Sequence, residues 1–199
     1  MVEPDPRGTS RERQLPVVEE TAVVLVPHDP HWTLLYLQEA PVVMSAFRER
    51  RATIEHFGST AVPGLVAKPI IDILVGSIDG LHPSAREIEA LETQNYVFLG
   101  EDGRRPGRWF WRKRGQLAFN LSLVPLMSDL WEDNLAVRDY LRAHPKQVQQ
   151  YAEVKLHAVR LSPNSLLGYQ NHKRAFMQEL RKRAREWADA QGRRARSEA

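Results

Sequence analysis

Between Ile54 and Val75 the chain places Gly58-Ser59-Thr60, Lys68 and Asp72 among apolar neighbours. These residue types at this spacing offer one kind of chemistry. Glycine lets the backbone turn sharply and lets a ligand approach it closely. The hydroxyls of Ser59 and Thr60, together with the N–H groups of the same turn, form a concavity suited to an anion. Asp72 interrupts Ile70-Ile71-Asp72-Ile73-Leu74-Val75, a run otherwise suited to a strand buried on both faces. A carboxylate there is costly unless it is paired, hydrogen-bonded or bound to a metal. A phosphate-friendly turn followed by a buried acid points to a phosphate-plus-cation site.

Elements must hold these residues together. Ala52 to Phe57 reads as a strand and Pro69 to Gly76 as the next, with the polar turn and a short loop between them. Upstream, Ala22 to Val26 is a candidate edge strand. Asp29-Pro30 supplies an N-cap acid and a first-turn proline for a helix. Its stripe is Trp32, Leu35, Tyr36, Glu39, Val43, Ala46 and Phe47, and Pro41 is expected to kink or divide it. Ser84 opens a second helix carrying Ala85, Ile88 and Leu91. Tyr96 to Leu99 is a strand candidate, and 109–111 with 117–124 form a hairpin turning near Arg114-Gly115. Helices are expected from Ser128 to about Ala143, from Pro145 to about Leu161 and from about Ser165 to Ala190.

Other side chains have two readings each. Lys68 is a point charge for a phosphate or a solvated loop lysine. Asp72 is a Mg²⁺ ligand or a structural acid paired with Lys68 or an arginine. His56 is a proton relay or substrate contact lining the cleft, or a hydrogen-bonded core histidine. Asn120 and Ser122 alternate with apolar residues and share one strand face, lining the Asp72 cleft if their strand lies beside that of Asp72. Arg138 and Arg142 share a helix face, closing over phosphates or pairing between helices. Arg108, Phe110 and Arg112 fall on one face of the hairpin, Trp109 and Trp111 on the other, with Arg104, Arg105 and Arg114 nearby. That mixture suits nucleotides or RNA, or a half-buried hairpin. His28-x-x-His31 lacks a third ligand, and the Asp29-Pro30 helix start explains it.

The string His56-x-Gly58-Ser59-Thr60-Ala61-Val62-Pro63-Gly64-Leu65-x-Ala67-Lys68-Pro69-Ile70-Ile71-Asp72-Ile73 resembles the GrpB family, assigned to the nucleotidyltransferase superfamily. Asp29-Pro30-x-Trp32, the run Trp131 to Pro145, Tyr151-x-x-x-Lys155 and Tyr169-x-x-x-Lys173 extend the resemblance over roughly residues 22 to 182. It implies an α/β fold, a nucleotidyltransferase-like mixed sheet flanked by helices with a C-terminal helical region. It also implies Mg²⁺-dependent transfer of a nucleotidyl group from a nucleoside triphosphate to an acceptor. Gly58, Ser59, Thr60, Lys68 and Arg138 would seat phosphates and Asp72 would bind the metal and be catalytic. The chain departs from the superfamily pattern at Leu74, where a second acid usually stands, and at Asn120 and Ser122 on the later strand. A protein that holds a nucleotide or other phosphorylated ligand without chemistry is therefore the alternative. RNA binding through the arginine-aromatic hairpin is a second alternative, less favoured.

Composition bounds these readings. The 199 residues, 42% of them hydrophobic, suffice for one domain with a helical extension. Without cysteine there are neither disulfides nor thiolate metal sites. No apolar run approaches the roughly 18 residues of a membrane span, and the polar N-terminus lacks a signal peptide's apolar region, so a cytoplasmic protein without membrane contact is expected. A formal charge of +3 does not by itself imply nucleic acid. The expected organisation is a disordered tail at 1–20, an α/β core at 21–126, a helical region at 127–190 and a basic flexible tail at 191–199.

Overall fold

The computed structural model describes residues 22–80, 82–103 and 105–197. The expected disordered tail at 1–20 and Arg104 lie outside the described residues. Helix α1 (His31–Ala46) leads into β1 (Ala52–Phe57), and a single 3₁₀ turn (Ser59–Ala61) precedes β2 (Ile71–Ser77). Then come α2 (Ala85–Glu92), β3 (Tyr96–Glu101), β4 (Trp109–Lys113), β5 (Phe119–Pro125) and three helices, α3 (Asp129–Ala143), α4 (Pro145–Leu161) and α5 (Leu166–Ser197). The five strands form one mixed sheet, ordered β1-β2-β5-β4-β3. Only the central β2–β5 pair is parallel; β1–β2, β4–β5 and β3–β4 are antiparallel. This is the mixed α/β fold class expected from the sequence.

Local chemistry explains the elements. Asp29 Oδ1 accepts from the His31 backbone N–H at 2.9 Å and starts α1. Ser84 and Glu87 form a reciprocal capping box at α2, and Ser128 caps α3 by accepting from Trp131 N. Helix α1 runs through Pro41 as one element, so the proline does not divide it. Pro41 is exposed, so the carbonyl that loses its helical partner faces water rather than protein. Ala22 to Val26 is no strand either: it makes one bridge, Val26 to Ala67. Helix α5 runs to Ser197, through residues expected to form a flexible tail.

One sheet face packs against α1 and α2. Ile71, Ile73, Val75, Leu121, Leu123 and Trp111 meet Trp32, Val43, Phe47 and Leu91 there. On the other face Phe57, Leu74 and Val124 pack against Trp131 of α3. Gly76 makes that packing possible: a Cβ on it would stand 2.7 Å from Trp131 Cε3. The helices of the C-terminal half share their own core, which reaches Val62 and Leu65 beside the 3₁₀ turn. The polar turn therefore sits where sheet and helical half meet.

Candidate functional site

The Gly58-Ser59 turn and Asp72 meet because β1 ends where β2 begins. Phe57 pairs with Asp72 across the two strands, so Gly58 lies directly against the aspartate. A Cβ on Gly58 would stand 2.5 Å from Asp72 Oδ2. Its backbone, φ 73° and ψ −166°, lies in a region open essentially to glycine alone. Asp72 also pairs with Asn120 across the parallel β2–β5 ladder. Asn120 Nδ2 donates to Asp72 Oδ1 at 2.8 Å, and Arg114 Nη2 donates to Asn120 Oδ1 at 2.8 Å. Two residues on, Ser122 is fully buried and its Oγ accepts from Arg108 Nε at 2.9 Å. Arg108 also reaches Asp102 at 3.2 Å and lies 4.7 Å from the Phe110 ring centre; Arg112 lies 5.3 Å from the same ring. Directly paired strand residues share a face. Asp72, Asn120, Ser122, Phe110 and Arg112 therefore line one side of the sheet, as alternation suggests.

The helical half brings further cations to this side. Tyr151 of α4 is buried and lines the same cavity as Ser59. Burial pushes its phenol up to about 12, and the neighbouring Ser59 opposes the shift. Lys155, one turn later, is 2% exposed; its ammonium donates to the Val66 carbonyl and lies 5.2 Å from the Tyr151 ring centre. Lys173 of α5 sits over the Tyr169 ring at 4.1 Å and 5.8 Å from that of Tyr151. Lys68, half-buried, comes from the loop before β2. Among the described residues none of these three lysines forms an ion pair. Burial lowers all three: Lys155 well below its ordinary value, Lys173 to about 8, and Lys68 downward with Asp72 opposing and Arg114 and Arg112 adding. The same burial raises Asp72, against the Asn120 hydrogen bond and the charges of Lys68, Arg108 and Arg114. The resemblance took in both pairs, Tyr151 with Lys155 and Tyr169 with Lys173, without settling a role for either. Their four-residue spacings were the available signal.

Other expected site residues lie elsewhere. His56 pairs with Ile73, not Asp72, and so points to the opposite sheet face. There it is 4% exposed, stacks on Tyr36 at 4.9 Å and bonds Thr60 Oγ1 at 3.0 Å. It is a core histidine and does not line the cleft, and Thr60 spends its hydroxyl on it. Arg138 lines a cavity of about 80 Å³ with Gly58, Ser59 and Tyr151. Its guanidinium, however, is committed to Glu55 at 2.6 Å, Asp139 at 2.7 Å and the His56 carbonyl at 3.0 Å. It ties α3 to β1 rather than waiting for phosphate. His31 bonds Asp29, and His28 packs edge-on against Trp32. Among the described residues no three His, Cys, Asp or Glu side chains group to hold a metal.

The donors around Asp72 do not fit a resident Mg²⁺. That ion demands near-octahedral oxygen coordination. Here Leu74 sits in the apolar cluster with Trp131. Asn120 offers Asp72 its N–H rather than its oxygen, and the Ser122 oxygen already accepts from Arg108. One carboxylate remains, surrounded by ammonium and guanidinium groups.

The wider relationships agree with this construction. The family model described as GrpB protein matches residues 22–183, spanning the turn, the sheet and the helices that carry Tyr151, Lys155, Tyr169 and Lys173. Glutamate-rich protein GrpB of Alkalihalophilus pseudofirmus is 32% identical over 82% of this chain and 96% of its own. UPF0157 protein YqkA of Bacillus subtilis is 26% identical over 83% of this chain, which spans about half (48%) of that longer relative. The crystal structure of conserved protein GrpB from Enterococcus faecalis superposes with a TM-score of 0.75 at 28% identity, covering 82% of this chain and 99% of that one. With family match, sequence identity and tertiary structure all covering the same strands and helices, the chain belongs to the GrpB family.

Proposed function

We propose that the cleft between the Gly58-Ser59 turn and the helical half binds the phosphates of a nucleoside triphosphate or related phosphorylated small molecule. One observation carries this reading. Lys68, Lys155 and Lys173 come from a loop and two helices to one turn, and no carboxylate pairs with them among the described residues. Unpaired buried cations are costly, and an anionic ligand offsets that cost. Ser59 and the backbone of its turn add hydrogen-bond donors. Titration calorimetry with ATP, GTP, CTP, UTP and inorganic tripolyphosphate tests the reading. Binding of at least one, weakened about tenfold in Lys173→Met, supports it; absence of binding by all of them overturns it.

A second reading retains chemistry, favoured by the placement of Asp72 against the glycine-serine turn. In it an acceptor oxygen attacks the α-phosphorus of a bound triphosphate, the bond to the bridging oxygen of the β-phosphate breaks, and pyrophosphate leaves. Catalysis would consist of positioning and charge stabilisation by the lysines, with Asp72 nearest the reacting groups. Transfer of α-phosphate label to an acceptor, lost in Asp72→Asn, is its test.

A further inference from the structure

The residues that occupy the place of a metal site suggest how the ligand is held. We propose that Lys68, Arg108 and Arg114 take the role a divalent cation would play, so that phosphate binding needs no metal and is weakened by Mg²⁺. The inference rests on the phosphate reading above and specifies its electrostatics.

Each position around Asp72 is closed to a cation in its own way. Position 74 is a buried leucine. Position 120 is an amide whose orientation is fixed: Arg114 has only donors, so the amide oxygen faces Arg114 and its NH₂ faces Asp72. Position 122 is a hydroxyl whose oxygen is held by Arg108. The charges nearby are positive. The fields of Lys68, Arg108 and Arg114 all reach Asp72, and those of Lys68 and Asp72 reach Lys155 and Lys173. A dication entering here meets repulsion and finds one free carboxylate oxygen edge. A phosphate meets donors instead. Ser122 and Asp102 each take one N–H of Arg108, and a guanidinium has five in a fork that matches phosphate oxygens. Mg²⁺ in solution binds the phosphates of a free polyphosphate and neutralises the charge this cleft recognises. It therefore competes with the protein.

The test is calorimetric titration of the full chain with inorganic tripolyphosphate and the four nucleoside triphosphates. Each is run in EDTA and in excess MgCl₂ at matched ionic strength, because screening alone weakens such contacts. The expected result is binding in EDTA, several-fold weaker in Mg²⁺. Lys68→Met and Arg108→Met should each weaken the EDTA binding about tenfold. Lys68 lies in a loop and makes no ion pair among the described residues, so its variant keeps the test valid if the Arg108 variant misfolds. Binding that appears or tightens only with Mg²⁺ and is lost in Asp72→Asn overturns the inference and leaves the phosphate reading standing. Absence of binding in both conditions overturns the phosphate reading and the inference with it.

Discussion

Asn120 donates to Asp72 at 2.8 Å while its oxygen accepts from Arg114. An amide that separates a carboxylate from a guanidinium in this way occupies the position where a second carboxylate would make a cation site. Asn120→Asp reverses the electrostatics of that position. Two carboxylates in contact repel, so the variant should be less stable by about 1–3 kcal/mol without divalent ions. It should regain stability on addition of Mn²⁺ or Mg²⁺, where the parent does not. Thermal melts with and without Mn²⁺ read both effects; a variant indifferent to Mn²⁺ would show that Asn120 is not what closes the site.

Gly58 is bound to its identity twice over, by a positive φ and by contact with Asp72. Gly58→Ala must strain the backbone, displace the carboxylate, or both. The expected loss is about 2–4 kcal/mol, together with loss of tripolyphosphate binding. Denaturant unfolding and calorimetry check the two separately. Unchanged stability would mean that the turn can relax.

Lys155 combines deep burial with a single backbone acceptor. Lys155→Met removes a charge that burial opposes, at the loss of one hydrogen bond of about 1 kcal/mol. The folded lysine is lowered well below its ordinary 10.5. The unfolded chain therefore binds the extra proton as pH falls from about 10.5, and the parent is penalised increasingly below it. The advantage of the methionine variant should grow as pH falls from about 10.5, so that near neutral pH it melts no lower than the parent. Phosphate binding should nonetheless fall about tenfold. A markedly lower melting temperature would show that the lysine is there for packing.

His56 sets an acid limit. Burial lowers it from 6.5 to about 4, and the charges of Arg142, Arg138 and His28 add to the shift. Between pH 6.5 and 4 the unfolded state binds a proton that the folded state refuses, so stability falls as pH drops through that window, by about 3 kcal/mol in all. His56→Gln should flatten the pH dependence of unfolding there. A histidine NMR titration with a midpoint near 6.5 would contradict the burial of the ring.

Much of this architecture is legible in the sequence, for reasons particular residues supply. Apolar periodicity and the capping residues Asp29, Ser84 and Ser128 place the helix starts within a few residues. The alternation in β5 puts Asn120 and Ser122 on one face, and the short connection from Phe57 to Ile71 keeps the glycine-serine turn near Asp72. What sequence alone leaves open is strand register. Phe57, not His56, pairs with Asp72, and because strand side chains alternate, that single step sends His56 to the far side of the sheet. The partners of Arg138 were equally hidden, since Glu55 is 83 residues away.

By itself, then, the sequence determined the elements, the glycine that can turn beside an aspartate, and the lack of a second acid at position 74. Tertiary structure alone decided what surrounds that aspartate. Helical spacing aligns Tyr151 with Lys155 and Tyr169 with Lys173, but only the packing of α4 and α5 against the rest of the chain turns those side chains toward Ser59 and Lys68. Periodicity fixes which residues share a face; burial of the apolar residues on neighbouring elements fixes where that face points.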